Sequence, residues 1–119
     1  MKERAKRKKR KISICSYLNR VCPRLELGPE IFIYDFEISR SKPIEMVDIS
    51  SVSTEKILNV LLRREVEVII CGGCEEKFQV LLRGNHIEVI WGVAGNLPDV
   101  LEAYIGHRLT CGIGLVPDS

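Results

Sequence analysis

"EVEVIICGGCEEKFQVLLRGNHIEVIW", residues 65–91, decides the fold. It opens on "EVEVII", Glu65 to Ile70, whose nearly continuous apolar end predicts a central parallel strand covered on both faces. After "CGGC" the period changes. Phe78, Leu81 and Leu82 recur at helical spacing, and Gly84-Asn85 carries a helix C-cap signal. "HIEVIW" then reads as a second strand. A strand, a helix and a strand in one stretch form a βαβ unit, whose crossover is right-handed.

The flanks extend the pattern. "GVAGN" is a Gly-rich turn, and Asn96 caps "LPDVLEAYIGHR", with Pro98 and Asp99 in its first turn and Gly106 at its end. Upstream, "SVSTEKILNVLLRR" opens with Ser/Thr capping candidates and places Ile57, Leu58, Leu61 and Leu62 on one face, which predicts a helix to about Arg64. Further upstream lie a short strand "ISICSY" (Ile12–Tyr17) and a loop or broken strand "LNRVCPRLELGPE". The strand "IFIYDFEI" (Ile31–Ile38), a turn "SRSKP" and the hairpin partner "IEMVDI" (Ile44–Ile49) follow. The order β, β, β, α, β, α, β, α predicts a single α/β domain. Its mixed five-stranded sheet carries three helices and an antiparallel hairpin at one edge.

The 119 residues, 45% apolar and 29% charged, suit one domain with one core. No apolar run approaches the roughly 20 residues that span a bilayer, so no membrane partner is expected. The basic N-terminus leads into no apolar signal segment, and a cytoplasmic location is the expectation. Residues 2–11, "KERAKRKKRK", hold eight Lys/Arg and one Glu; the rest holds ten Lys/Arg and fifteen Asp/Glu. The net +2 is therefore a strongly basic tail on an acidic body. Residues 1–11 are expected to be a disordered tail, 12–109 the folded domain and 110–119 a loose C-terminal tail. The basic tail lacks aromatics for stacking and belongs to no folded nucleic-acid motif, so it reads as a solvated extension and no nucleic-acid partner is expected.

Five cysteines stand in this short chain: Cys15, Cys22, Cys71, Cys74 and Cys111. The odd count argues against a disulfide framework, and clustered thiols in a reducing compartment more often bind metal or do redox chemistry. In open α/β sheets, ligands bind beyond the carboxyl ends of parallel strands. If the Ile12–Tyr17 and Val66–Ile70 strands are parallel neighbours, Cys15 and Cys71 reach one edge, with Cys22 and Cys74 in the loops leaving it. Cys74 at a helix N-terminus would gain thiolate character. Gly72 and Gly73 would let backbone amides approach an anionic cluster. The two-residue spacing lets both sulfurs hold one metal or adjacent irons. Glu75 and Glu76 could cap the same helix but would oppose an anion above it. The competing reading makes Cys71 and Cys15 small core residues, and Cys111 stands apart in the tail. His86 and His107 lack partners at metal-ligand spacing and read as structural. Trp91 reads as a core or rim aromatic, and Gly92 and Gly95 as turn glycines on the "CGGC" edge.

The stretch "VIICGGCEEKFQVLLRGNHIEVIWGVAGNLPDVLEAYIGHRL" resembles the second half of the dinitrogenase iron–molybdenum cofactor biosynthesis family, the NifX-like and NifB C-terminal-like domains. "ISICSYLNRVCPRLELGPEIFIYDFE" is similar, more loosely, to the family's opening strand, loop and second strand. The resemblance runs from about Ile12 to Leu109. It implies a ribonuclease H-like fold and a non-enzymatic carrier of an iron–sulfur or molybdenum–iron cluster or precursor, with a donor or recipient protein as partner. It leaves open a homodimer. One departure stands out. Many members carry a His-Phe-Gly step in the first loop, where this chain reads "PRLELG", Pro23 to Gly28.

Three functions compete. A cofactor-binding domain would use Cys71, Gly72, Gly73, Cys74, Cys22 and Cys15, with Cys71, Cys74 and Cys22 on the metal. A thiol–disulfide oxidoreductase would use the Cys71/Cys74 dithiol, although no cis-proline candidate precedes a later strand. A nuclease would need carboxylates for Mg²⁺ at the strand ends, where this chain offers soft thiols instead. The sequence favours the first.

Overall fold

The computed structural model describes residues 10–106. Most of the basic tail, His107, Cys111 and the expected C-terminal tail lie outside the described residues.

Ten-odd short elements build one sheet with helices on both faces. In chain order they are β1 (Lys11–Tyr17), β2 (Arg20–Val21), a 3₁₀ turn (Leu25–Leu27), β3 (Glu30–Asp35) and β4 (Glu45–Asp48). There follow α1 (Thr54–Arg63), β5 (Val68–Ile70), α2 (Glu76–Gly84), β6 (Glu88–Ile90) and α3 (Leu97–Ile105). The strand order is β4-β3-β1-β5-β6, with β2 paired to β1. β1, β5 and β6 are mutually parallel, while β3 runs antiparallel to both of its neighbours, β1 and β4. The expected mixed sheet is present, with the small β2 as a sixth strand.

The apolar runs follow from two-sided burial. Ile12, Ile14, Val68, Ile70 and Ile90 pack with Val100, Leu101 and Ala103 on the α3 side. Cys15, Ile31, Ile33, Ile69 and Val89 pack with Ile57, Leu61, Phe78 and Leu82 on the α1/α2 side. Burying one such side chain contributes about 1.5–3 kcal/mol, against about 1 kcal/mol net for a ladder hydrogen bond. Packing therefore sets which strands are neighbours, and the hydrogen bonds set their register. Ser53 caps α1 by accepting the Lys56 N–H, and Asn96 caps α3 by accepting the Asp99 N–H. Leu62 and Leu81, placed by periodicity on inner faces, are partly exposed at 40% and 37%.

Three boundaries differ from the sequence reading, each for a local reason. β3 stops at Asp35, before the expected Ile38. Asp35 Oδ1 accepts the Glu37 N–H at 3.0 Å and the Asp35 carbonyl accepts from Ile38 and Ser39, which closes a turn. β5 starts at Val68, not Glu65. Glu65 takes φ 58°, and the Glu65 and Val66 amides donate back to Leu62 and Leu61, a Schellman-type ending of α1. The same motif ends α2. Gly84 lies within the helix, and His86, at φ 66°, takes the left-handed position while the Ile87 amide donates to Leu82. His86 is exposed and shapes a helix end. At the N-terminal end, Lys11 already belongs to β1 and Arg10 Nε donates to the buried Asp35 at 2.8 Å.

Candidate functional site

The parallel β1–β5 register, Ile12 with Val68 through Ile14 with Ile70, determines what meets at the carboxyl edge. One residue further on stand Cys15 and Cys71, both fully buried and both in the core between the sheet and α1/α2. Cys22 returns to the same place because β2 folds back on β1, and its N–H donates to the Cys15 carbonyl at 2.8 Å. The turn that brings it back has Leu18 and Asn19 at φ 53° and 66°, the geometry of a two-residue hairpin turn. Asn19 suits such a turn and Leu18 does not, so the sequence pattern hid β2. Cys22 Sγ donates to the Arg24 carbonyl at 3.0 Å. Cys74 packs partly buried against the same core. The structure thus brings together all four of the described cysteines named from sequence, and none forms a disulfide.

Two loops hold them. Gly72 N–H donates to Cys22 O at 3.0 Å, Gly73 N–H to Pro23 O at 2.5 Å, and Leu25 N–H to Gly73 O at 2.9 Å. Arg24 and Gly73 form a parallel bridge. The β5–α2 loop and the segment after β2 therefore continue the sheet as a short ladder beyond β1 and β5. On the other side, Cys71 N–H donates to Ile90 O and Gly92 N–H to Gly72 O. This revises the role expected for the glycines. The amides of Gly72 and Gly73 are spent within the protein, and neither residue has a left-handed φ. They are small because backbone passes over them. A Cβ on Gly72 would lie 2.7 Å from both the Cys22 and Pro23 carbonyl oxygens.

The two innermost thiols, Cys15 and Cys71, are held toward the protonated form. Cys71 is pushed well above the ordinary thiol range by its hydrogen bond with Cys74 and by burial. Cys15 is pushed up by burial and by the adjacent Cys22. The Glu26 carboxylate raises both further. Cys74 does not open α2 directly. Glu75 is the N-cap, its side chain makes no capping hydrogen bond, and its N–H donates to Glu26 Oε2 at 2.5 Å. A carboxylate of this chain thus takes the place at the helix N-terminus where an external anion was expected. Among the described residues, no group of three or more His, Cys, Asp or Glu side chains is disposed to hold a metal ion.

Sequence reasoning missed two residues here. Glu26, on the 3₁₀ turn, reaches the α2 N-terminus from 49 positions away, and no local pattern signals that. Gly28 lies against the inner thiols. A Cβ there would collide with Cys15 Sγ and stand 2.9 Å from Cys22 Sγ. Trp91 lies on the rim, 37% exposed. Gly92 and Gly95, at φ 77° and 131°, are turn glycines on this edge, as their spacing suggested.

Comparison with known proteins places this geometry. A crystal structure of the protein PH0822 matches at TM-score 0.73 and 18% identity, covering 87% of this chain and 96% of that one. A Thermotoga protein, provisionally named NifB and assigned to the DUF35 family, matches at TM-score 0.70 and 20% identity, covering 85% and 91%. A Methanocaldococcus jannaschii protein, provisionally named a dinitrogenase, matches at TM-score 0.65 and 17% identity, covering 87% and 95%. At these identities the likeness is one of fold. None of the curated proteins matches the sequence. The family described as "Dinitrogenase iron-molybdenum cofactor" matches residues 8–107, which contain the whole described domain. With the sheet, the glycine loop and the capped final helix all inside that match, the chain belongs to the dinitrogenase iron–molybdenum cofactor family.

Proposed function

We propose that this chain binds and carries, as cargo, an iron–sulfur or molybdenum–iron cluster or a precursor of one, without catalytic turnover of its own. Family membership points to iron–molybdenum cofactor biosynthesis as the setting. The observation that supports a carrier is the convergence of Cys15, Cys22, Cys71 and Cys74 at the carboxyl edge of parallel strands, where open α/β sheets take ligands. Thiolate sulfurs suit iron and molybdenum better than hard cations. The order β4-β3-β1-β5-β6, with β3 alone reversed among those five, supports the ribonuclease H-like arrangement. No described helix is long and apolar enough to cross a membrane, which agrees with a carrier working in the cytoplasm.

The arrangement implies an order of events. Cys74 is the thiol nearest solvent and meets the cargo first. Cys71 and Cys22 follow only if the ladder between the two loops opens, because no three donors are gathered beforehand. Cys15, sealed beneath Gly28, supports the loop from inside. Each thiol that binds gives up its proton, so uptake releases protons. The dithiol oxidoreductase reading finds no such support. A nucleophilic thiol needs a lowered pKa, and Cys71 is driven the other way.

The test is anaerobic reconstitution with ferrous iron, molybdate and sulfide, followed by metal analysis. Wild type should take up metal, and Cys71→Ala/Cys74→Ala should lose most of it while retaining its circular dichroism spectrum. Equal uptake by the folded double variant would remove this site.

A further inference from the structure

Outside the thiols, on the same edge, a groove of about 390 Å³ is lined by Tyr17, Cys22, Pro23, Arg24, Leu27 and Pro29. Its walls are almost wholly apolar. Leu27, on the groove, and Leu18, beside it, are the two most exposed large apolar side chains among the described residues, at 77% and 73%. Tyr17 is half exposed. Leu18 is held in the left-handed region at φ 53°, which a bulky side chain disfavours. The turn is fixed from both sides. Tyr17 pairs with Arg20, and the Leu97 N–H donates to the Asn19 carbonyl. The fold accepts an unfavourable backbone and presents Leu18 to solvent. Such outliers gather at functional positions.

Charge narrows the occupant. Arg20 is exposed and Arg24 is 52% exposed. The nearby acid, Glu26, is turned inward at 13% exposure, with Oε2 on the Glu75 N–H and Oε1 only 3.5 Å from Arg24. The outward rim of the groove is therefore apolar and basic, on a domain whose remainder is acidic. Tyr and Arg on such a rim match the anchors of protein interfaces. We propose that this groove docks an acidic segment of a partner protein, which inserts one apolar side chain between Tyr17 and Leu27 and sets a carboxylate against Arg24. Cys22 lines the groove, and its carbonyl holds Gly72. A docked segment thus touches the ladder that must open for cargo to move. The identity of this partner as donor or recipient rests on the carrier reading. The docking itself is tested on the chain without cargo.

The full chain, ¹⁵N-labelled, is titrated with the synthetic peptide Asp-Glu-Phe-Leu-Asp-Glu and, separately, with Lys-Arg-Phe-Leu-Lys-Arg. The acidic peptide should give saturable shifts confined to Tyr17, Leu18, Arg24 and Leu27, and should bind about tenfold more tightly than the basic one. Leu27→Ser should weaken both, and Arg24→Glu should reverse the preference. Equal affinity for the two peptides, or shifts spread away from the groove, would overturn the proposal. Groove shifts that depend on protein concentration without peptide would assign it to a second copy. Shifts that appear on deleting residues 107–119 would assign it to the chain's own C-terminal segment. Either result overturns an external partner. Metal uptake is measured on the same samples: Arg24→Glu and Leu27→Ser should load as wild type does, whereas failure of wild type to load would sink the carrier reading and leave the docking result standing.

Discussion

Gly72→Ala is the most informative single change in the loop. Its added methyl would lie 2.7 Å from the Cys22 oxygen, 2.7 Å from the Pro23 oxygen and 3.0 Å from the Pro23 carbonyl carbon. All three are backbone atoms, so no rotamer change relieves them. The two loops must separate, and the bonds Gly72 N–H to Cys22 O, Gly73 N–H to Pro23 O and Leu25 N–H to Gly73 O weaken together. Overpacking costs about 1–3 kcal/mol and each lost hydrogen bond about 1 kcal/mol, so a loss of about 2–4 kcal/mol is expected. A domain with 5–15 kcal/mol of stability, the usual order of magnitude (~10), survives this. Urea unfolding followed by the fluorescence of Trp91, the single tryptophan, should show a lower midpoint at unchanged slope. Gly84→Ala is the matched control. Nothing lies within 4 Å of a Cβ there, and the position is helical, so it should gain about 0.4–1 kcal/mol. If Gly72→Ala falls within about 0.5 kcal/mol of wild type, the loops do not touch as described, and the reason given for this glycine is wrong.

Other perturbations probe other parts of the molecule. Binding through Cys71, a thiol held high by Cys74 and burial, must displace a proton, so metal uptake should strengthen about tenfold per pH unit for each proton released, read by competition with a chelator near neutral pH; a flat profile would exclude buried thiols as ligands. The hydrogen bond from Arg10 holds the Asp35 carboxyl below the usual carboxylate range. Its stabilisation is therefore complete above about pH 4 and is lost as pH falls through the lowered folded value. Arg10→Met should flatten that acid limb of the stability curve, and an unchanged slope would count against the pair. Ser16 is fully buried with no protein partner for its Oγ, so Ser16→Ala should raise stability by about 1 kcal/mol, while a loss of similar size in thermal unfolding would show that the hydroxyl is bonded.

The sheet was legible because its signals are periodic. "EVEVII" and "HIEVIW" are apolar on both faces since α1 and α2 cover one side and α3 the other. Asn96 announced α3 through its own side chain, which accepts the Asp99 N–H. The errors fell where one residue's backbone angle decides the outcome. Glu65 and His86 end helices in left-handed conformations that sequence associates with glycine, so the strands after them begin late. β2 depends on Leu18, an improbable residue for its turn. The register that places Cys15 beside Cys71 could be inferred only on condition that β1 and β5 are parallel neighbours. That adjacency is set by packing across the whole sheet, and no local pattern encodes it.

The convergence of the four cysteines was legible, and the state of Cys15 and Cys71 was misread. Proximity in sequence suggested thiolates at a helix N-terminus with glycine amides free for a cluster. The structure gives Cys15 and Cys71 as buried thiols held toward the protonated form, with those amides already bonded and Glu26 at the helix end. On the carrier reading these two descriptions are successive states of one site. A buried thiolate without a counter-ion is costly, so Cys15 and Cys71 stay neutral within the packed core. A bound metal supplies the missing charge and replaces the protons. Raised pKa values then act as a threshold: only a cargo that binds sulfur strongly enough to displace protons and part the Gly72–Cys22 ladder can enter. The same threshold favours release when a partner supplies better ligands, because reprotonation restores the packed core. A carrier needs both properties, and a permanent metal site, with thiolates gathered beforehand, would have neither.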